Sequence, residues 1–157
     1  MTDPAIHLRA ITREDSSLLF AWANDPHVRA ASLSPDPISR NTHDEWFQKK
    51  LSDPACHMFI GMNGEEIPVG QIRCDVGGGV AEVDVHTAPD HRGKGYGTLM
   101  IREVVRKLFA ETGVKEVHAF IKPENEASIR AFTKAGFIEE GRMAKKGSTV
   151  FHFVILR

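Results

Sequence analysis

The chain has 157 residues, of which 41% are hydrophobic and 26% charged, and its formal net charge is −1 at pH 7. This length suits one domain with its own buried core, so we expect a single domain over residues 1–157. The near-neutral charge, without a basic run, argues against a nucleic-acid-binding surface. No apolar stretch reaches the roughly 18 to 20 residues of a membrane-spanning helix, so we expect no membrane partner either.

Cysteine and histidine content narrows the class of protein further. Cys56 and Cys74 are the two cysteines, and with no signal peptide they indicate a reducing compartment, which we expect to be the cytoplasm. Eight histidines are present, but none repeats at the His-x-x-x-His spacing of metal ligands and no Cys-x-x-Cys occurs. The sequence therefore predicts no metal site.

The first elements of the chain are predicted from alternation and capping. Apolar residues alternate with polar ones over 6–10, which indicates a strand with one buried face. Thr12, with Asp15 three positions later, is a capping box that opens a helix to Ala23. Asn24-Asp25-Pro26 then ends that helix.

A second helical region follows a proline-containing loop. We predict a short helix over 26–31 and a loop over 32–40, where two prolines exclude regular structure. Thr42 with Glu45 forms a second capping box, which predicts that the next helix begins there and runs to Leu51.

Three strands are predicted next, over 56–62, 68–75 and 80–87. Asn63-Gly64 between the first two is a strong tight-turn signal. The remaining elements are a helix over 98–111 with apolar residues at three-to-four spacing, a strand over 117–121, a helix that Gly136 ends, and strands over 137–143 and 150–156. This order predicts an α+β fold, with a mixed, mostly antiparallel central sheet of about seven strands flanked by helices.

The segment Arg92-Gly93-Lys94-Gly95-Tyr96-Gly97 joins the predicted strand 80–87 to the helix 98–111. Its three glycines let the backbone approach a ligand without interference from a Cβ atom. The first N–H groups of the helix and the positive end of its dipole suit an anion, and Arg92 and Lys94 add positive charge. The segment predicts a diphosphate-binding loop; a glycine-rich turn with solvated basic residues is the alternative.

Two better-known glycine motifs do not fit this segment. A nucleotide P-loop needs a glycine five positions before its Gly-Lys pair, and Ala88 stands there. Gly95 also follows Lys94 where a P-loop has Ser or Thr. The dinucleotide fingerprint beginning at Gly93 needs a glycine where this chain has Thr98.

The remaining pattern, Arg-Gly-x-Gly-x-Gly, resembles that of the GNAT superfamily of N-acetyltransferases, in which it binds the pyrophosphate of acetyl-CoA. A second segment, from Asn125 to Phe137, is similar to the family's Asn-x-x-Ser…Gly-Phe signature. The resemblance covers nearly the whole chain. It implies a GNAT-like fold, acetyl-CoA as co-substrate and a small-molecule amine as acceptor, in a monomer or homodimer.

The resemblance also implies which residues hold the donor. In the family the pantetheine arm pairs with the strand backbone, which corresponds here to Val85 and Thr87. The full implied set is Val85, Thr87, Arg92, Gly93, Lys94, Gly95, Tyr96, Gly97, Thr98, Asn125 and Ser128. Thr87 as an ordinary strand residue and Asn125 as a helix N-cap are the alternatives.

Glu82, Asp84 and His86 alternate along one predicted strand, so their side chains lie on the same face. A desolvated carboxylate would suit the removal of a proton from the attacking amine. We predict Glu82, which corresponds to a strand glutamate often found in the family, as the general base, with Asp84 second. The alternative is that all three side chains simply face solvent.

One position departs from the family pattern. Many members carry a tyrosine four residues after the signature serine as general acid, and this chain has Phe132 there. Either another proton donor serves, such as water, His118 or His152, or none is needed. The departure also motivates the hypothesis of a non-catalytic acyl-CoA-binding module.

The acceptor site is expected in the first helices and the loop between them. This region resembles the subgroup that acetylates nucleotide-linked amino sugars, as in pseudaminic acid biosynthesis. Arg29 and His43 would meet a diphosphate or uracil oxygens, Trp46 would stack on a base or sugar, and Asn24 would bond hydroxyls. Alternatively, Trp46 is a core residue, and the acceptor is a protein N-terminus, polyamine, amino acid or antibiotic.

Overall fold

The computed structural model describes residues 5–157, which form seven strands, five α-helices and two single-turn 3-10 helices, Arg13–Asp15 and Pro89–His91. The strands are β1 (Ile6–Ala10), β2 (Cys56–Asn63), β3 (Pro68–Gly77), β4 (Val80–Thr87), β5 (Glu116–Ile121), β6 (Ile138–Lys145) and β7 (Ser148–Leu156). The helices are α1 (Ser16–Ala23), α2 (Pro26–Ala31), α3 (Arg40–Ser52), α4 (Tyr96–Glu111) and α5 (Glu126–Lys134). None of the described helices combines the length and apolar character needed to cross a membrane.

The seven strands belong to one sheet, in the order β1-β2-β3-β4-β5-β7-β6. Neighbouring strands are antiparallel except β4 and β5, which run parallel. α4 lies between these two strands in the chain, because a parallel pair needs a crossover connection of a dozen or more residues. The predicted α+β fold, a mixed and mostly antiparallel sheet flanked by helices, is confirmed.

Two helices begin at residues other than those predicted. α3 begins at Arg40 with Ser39 as its N-cap, whose Oγ accepts from the Thr42 N–H at 3.2 Å. The prediction of Thr42 as the cap is wrong by three residues, because Ser39 offers the same hydroxyl chemistry one turn earlier. α4 begins at Tyr96 instead of residue 98, because Gly95 has a φ of 85° and turns the chain directly into the helix.

The strand register divides the sheet into two faces. Ile60 lies opposite Gln71, and Gln71 lies opposite His86, so these side chains share one face, which we call the front. Part of the front is covered by a hydrophobic core that α1 and α3 form with β2. The buried side chains of this core are Ile11, Leu19, Trp22, Phe47, Met58, Ile60, Met62 and Ala88.

The opposite face, the back, carries the larger core. α4 contributes the buried side chains Met100, Ile101, Val104, Val105 and Leu108 to it. Burying side chains of this size contributes about 1.5–3 kcal/mol each. α4 is therefore held firmly against the back of the sheet, which fixes where its N-terminus lies.

A gap opens in the middle of the sheet. β4 and β5 are paired over only three residue pairs, from Val80–Glu116 to Glu82–His118. Beyond Glu82, β4 stays paired with β3 as far as Thr87, while the described pairing with β5 has ended. The two parallel strands therefore diverge, and their separation begins at Glu82 and His118.

Backbone groups of alternate residues point into this gap. The Gly79 carbonyl accepts a hydrogen bond at 2.7 Å from the residue before β5, whereas the Ala88 N–H donates to the Val69 carbonyl at 2.8 Å on the β3 side. Because backbone groups alternate in direction along a strand, the odd-numbered residues of β4 face β5. Val85 and Thr87 therefore present their N–H and C=O groups to the gap.

Candidate active site

The glycine loop leaves a row of backbone donors free. Gly93 and Gly95 have φ values of 76° and 85°, and a Cβ atom added to either would meet nothing within 4 Å. In the described part of the chain, no protein acceptor pairs with the backbone N–H groups from Arg92 to Thr98; the first paired amide is that of Leu99, which donates to the Gly95 carbonyl at 3.3 Å. Unpaired donors at a helix N-terminus form an anion-binding site.

The first turn of α4 adjoins the gap. A Cβ atom added to Gly97 would lie 3.5 Å from Thr87 Oγ1 and 3.8 Å from the Ala131 Cβ of α5. The free donors of the loop and the exposed backbone of β4 therefore border one another. A ligand with an anionic end and an extended arm would contact both.

Arg92 is already engaged within the protein. Its guanidinium donates to Asp25, whose carboxylate also accepts from the N–H groups of His27 and Val28 at 3.1 and 3.2 Å and so caps α2. Lys94 is exposed. Arg92 thus links α2 to the glycine loop, and Lys94 is the predicted cation whose charge faces solvent.

Asn125 and Phe132, both in the second signature segment, have structural roles. Asn125 caps α5, its Oδ1 accepting from the Ser128 N–H at 3.3 Å. Phe132 is 3% exposed and packs edge-to-face on Phe137, with ring centroids 4.9 Å apart. The alternative of Asn125 as an N-cap is confirmed, and Phe132 belongs to the core.

The two predicted general bases lie on the front beside the start of the gap. The Glu82 side chain is 52% exposed and its Oε1 lies 3.2 Å from Lys145 Nζ. The Asp84 side chain is 62% exposed, with an Arg73 nitrogen at 3.9 Å. Both carboxylates therefore remain in contact with solvent.

His86, the third residue of this row, is half-buried, and its Nε2 atom is out of contact with solvent. Its ring meets Trp22 edge-on, with centroids 6.1 Å apart, and lies opposite Gln71 on β3. Within residues 5–157, neither His86 Nε2 nor Gln71 Nε2 has a hydrogen-bond partner in the protein. Burial lowers the pKa of His86 to about 4, so its imidazole is neutral near pH 7.

Asn24 and Arg29, both predicted acceptor residues, hold the loop over 32–39. The Asn24 amide donates to the Ile38 carbonyl and accepts from the Ile38 N–H, both at 2.8 Å. Arg29 donates to the Ala23 carbonyl at 2.6 Å and to the Ser34 carbonyl at 2.8 Å. Their polar groups are therefore bound to the backbone of the protein.

The other two predicted acceptor residues take part in aromatic packing. His43 is 2% exposed and stacks on Phe47 with centroids 6.0 Å apart, and burial lowers its pKa. Trp46 is half-buried, and its ring lies 5.3 Å from the Arg73 guanidinium carbon. The structure does not bring Asn24, Arg29, His43 and Trp46 together as free groups around one ligand space.

The structure does bring together two histidines that sequence reasoning treated separately. His118 Nδ1 and His152 Nε2 lie 2.6 Å apart, and the two rings lie edge to edge, with centroids 4.9 Å apart and planes inclined by 16°. His118 on β5 is paired with Glu82 on β4, at the point where the gap begins. The sequence could not show this pair, because it depends on β7 lying between β5 and β6 in the sheet.

Comparison with known proteins places the chain in a family. Residues 5–138 match the model of the acetyltransferase (GNAT) domain. An SPbeta prophage-derived uncharacterized N-acetyltransferase of Bacillus subtilis is 31% identical over 92% of this chain and 82% of its own length. The aminoglycoside N(6')-acetyltransferase type 1 of Klebsiella pneumoniae is 25% identical over 99% of this chain and 85% of its own length.

A solved structure agrees with the same fold. Spermidine N-acetyltransferase from Vibrio cholerae, in complex with CoA and spermine, superposes with a TM-score of 0.84 at 21% identity. The match covers 96% of this chain and 95% of that chain.

The lowered pKa of His86 predicts that the stability of the protein depends on pH. An unfolded histidine takes up a proton near its ordinary pKa of 6.5, whereas folded His86 does so only near pH 4. The unfolded state therefore binds more protons between these values, and the free energy of unfolding should fall as the pH is lowered through that window. In His86→Gln, the decrease in the free energy of unfolding between pH 6.5 and pH 4, measured by urea unfolding, should be smaller than in the unmodified protein by on the order of 2–3 kcal/mol.

His27→Gln is the matched control, because His27 is exposed. Its decrease in stability between pH 6.5 and pH 4 should match that of the unmodified protein. An unchanged decrease in His86→Gln would show that His86 is not kept neutral by the fold.

Proposed function

This chain belongs to the GNAT family of acetyltransferases, and we propose that it transfers the acetyl group of acetyl-CoA to a primary amine of a small cationic molecule. The observation that carries this proposal is the row of unpaired N–H groups from Arg92 to Thr98 beside the gap between β4 and β5. It supplies donors for an anionic group and an open strand backbone for an extended arm.

The glycine loop fits the diphosphate of the donor. The N–H groups of Gly93, Lys94, Gly95, Tyr96, Gly97 and Thr98 would bind its oxygens, with the helix dipole and the exposed Lys94 adding positive charge. Hydrogen bonds to a charged group contribute about 1.5–3 kcal/mol each. Arg92 would hold this loop in place through Asp25.

The edge of β4 fits the pantetheine arm. The backbone groups of Val85 and Thr87 face the gap, and an arm lying there would pair with them as an added strand does. At about 3.3 Å per residue, the edge from Thr87 back to Val83 spans roughly 13 Å. Asn125 and Ser128, at the start of α5, would border the same arm.

The charges around the gap favour a cationic acceptor. Glu82, Asp84 and Glu116 lie on the front with side chains 52%, 62% and 46% exposed. Lys145, Arg73 and His118 lie 3.2, 3.9 and 3.7 Å from them, and each carboxylate keeps exposed surface for an ammonium group. A nucleotide-linked amino sugar, the acceptor that the sequence suggested, needs free cations for its diphosphate, and Arg29 is bound to backbone carbonyls. The relatives are named for aminoglycosides and for spermidine. Molecules of both kinds carry several positively charged amino groups. We therefore favour an amine of an aminoglycoside or polyamine.

The reaction is direct attack of the amine nitrogen on the thioester carbonyl. Holding both reactants in place can supply about 7–11 kcal/mol of the barrier reduction. The sequence predicts Glu82 or Asp84 as the general base. Since both carboxylates are solvated, we assign them the attraction of the ammonium group to the gap.

Gly95→Asp tests the diphosphate site. A carboxylate placed against the donor phosphates should weaken coenzyme A binding at least tenfold by isothermal titration calorimetry, because like charges at short range repel. Gly78→Asp is the control, since Gly78 also has a positive φ, of 60°, and open space around it, in the turn between β3 and β4. Equal affinities in both variants would show that the diphosphate binds elsewhere.

An acceptor panel tests the amine class. Thiol release from acetyl-CoA should be fastest with kanamycin or spermidine and absent with a UDP-linked amino sugar. Asp84→Asn should raise the KM for the best cationic acceptor by roughly five- to tenfold with little change in kcat, because one charge pair at the surface of the site is lost.

Glu111→Gln is the control, because it removes one negative charge at the far end of α4. It should leave the KM for the best cationic acceptor unchanged. Turnover of the UDP-linked sugar alone would refute the cationic acceptor, and binding of coenzyme A without turnover on any amine would favour the acyl-CoA-binding module.

A further inference from the structure

A chain of charged and aromatic groups surrounds His118 on the front of the sheet. His118 Nδ1 contacts His152 Nε2 at 2.6 Å, and His118 Nε2 lies 3.7 Å from Glu116 Oε1. Glu82 is its neighbour across the parallel register. With a side chain 20% exposed, His118 is accessible from the front at the point where β4 and β5 separate.

The contact between the two rings defines their hydrogen bonding. At 2.6 Å, one hydrogen must lie between the two nitrogens, so one ring donates and the other accepts. When His118 donates from Nδ1, its Nε2 carries an unshared electron pair. A proton added there makes an imidazolium whose two N–H groups point to His152 Nε2 and toward the Glu116 carboxylate.

His152 is held as the neutral partner. Its ring stacks on Phe120 with centroids 4.8 Å apart, and Phe120 in turn lies 3.7 Å from Lys145 Nζ. Burial and the neighbouring His118 lower the pKa of His152; of the charged groups on β6, Lys145 acts in the same direction and Glu140 opposes it. The neutral form of His152 is therefore favoured.

We propose that His118 takes the proton of the attacking amine at Nε2, with His152 as the residue that positions its ring. This inference rests on the proposed acetyltransferase function. His118 also stands, opposite Glu82, at the start of the gap, where the arm of the donor would end. It supplies the proton acceptor that the solvated Glu82 and Asp84 do not.

The proton and electron pairs balance over one cycle. The ammonium group that enters the site first releases one proton to solvent. The neutral amine nitrogen then attacks the thioester carbonyl carbon, so a C–N bond forms, and the C–S bond breaks with its electron pair leaving on sulfur. The nitrogen gives up one proton to His118 Nε2. The departing thiolate receives a proton from the His118 imidazolium, which returns the pair to its neutral state and gives the free thiol.

This relay also explains how the chain manages without a tyrosine at position 132. The Phe132 side chain is buried against Phe137 and has no proton to give. One histidine that first accepts and then returns a proton serves both steps, as the histidine of a catalytic triad does. Glu116 and His152 would stabilise its charged form between the two steps.

The test compares His118→Asn with His152→Gln. Asparagine keeps a donor near the Nδ1 position but has no base, so kcat with the best amine should fall about 100-fold, and the pH dependence of kcat should differ from that of the unmodified protein. Glutamine keeps an acceptor near the Nε2 position of His152, so His152→Gln should lose no more than a few-fold. Affinity for coenzyme A, measured by calorimetry, should be unchanged in both.

Two further variants separate this proposal from its rivals. His7→Asn, at an exposed histidine on β1, should behave as the unmodified protein. Glu82→Gln should affect KM more than kcat, because Glu82 is assigned to attraction of the amine. An unaltered kcat and pH profile in His118→Asn would overturn the proposal, as would a 100-fold loss of kcat in Glu82→Gln.

An NMR titration of the histidine rings in the unmodified protein gives an independent answer. His152 should take up its proton at lower pH than an ordinary histidine, and protonation of His152 in or above the ordinary range would overturn the proposal. If no amine of the panel were acetylated, the proposed function would fall, while the titration would still decide whether the pair is built as described.

Discussion

The early end of the pairing between β4 and β5 is the constraint on which the site depends. The two parallel strands share three residue pairs and then separate, although β4 continues for five more residues. On that side of β4, the backbone groups of Val85 and Thr87 are left without a strand partner in the described sheet, and backbone N–H and C=O groups need hydrogen-bond partners. An extended ligand that pairs with the strand meets that need.

The position of α4 turns the open edge into a site for a particular kind of molecule. Buried side chains hold α4 against the back of the sheet, and Gly95 starts the helix beside Thr87. The unpaired amides of the loop are therefore placed at one end of the gap, and His118 and Glu82 at the other. An anion at the first end and a reacting group at the second match an acyl-CoA donor.

Much of this could be predicted from the sequence, because it depends on local patterns. The Arg92 to Gly97 segment predicts the loop and its amides from its glycines alone, and alternation in 80–87 predicts that Glu82 and Asp84 share a face. The acceptor residues were harder to predict, because Asn24 and Arg29 have the chemistry of ligand-binding groups. Only the folded chain shows that their partners are the backbone of Ile38 and Ser34. The His118–His152 contact depends on strand order, which no local pattern encodes.

Hydrogen–deuterium exchange with and without coenzyme A tests the central claim most directly. If the amides beside the gap bind the donor, the residues from Gly93 to Thr98, together with Val85 and Thr87, should exchange more slowly when coenzyme A is saturating. The turn between β3 and β4, which contains Gly78, should exchange at the same rate in both states. Slower exchange elsewhere, with the loop from Gly93 to Thr98 unaffected, would contradict the account.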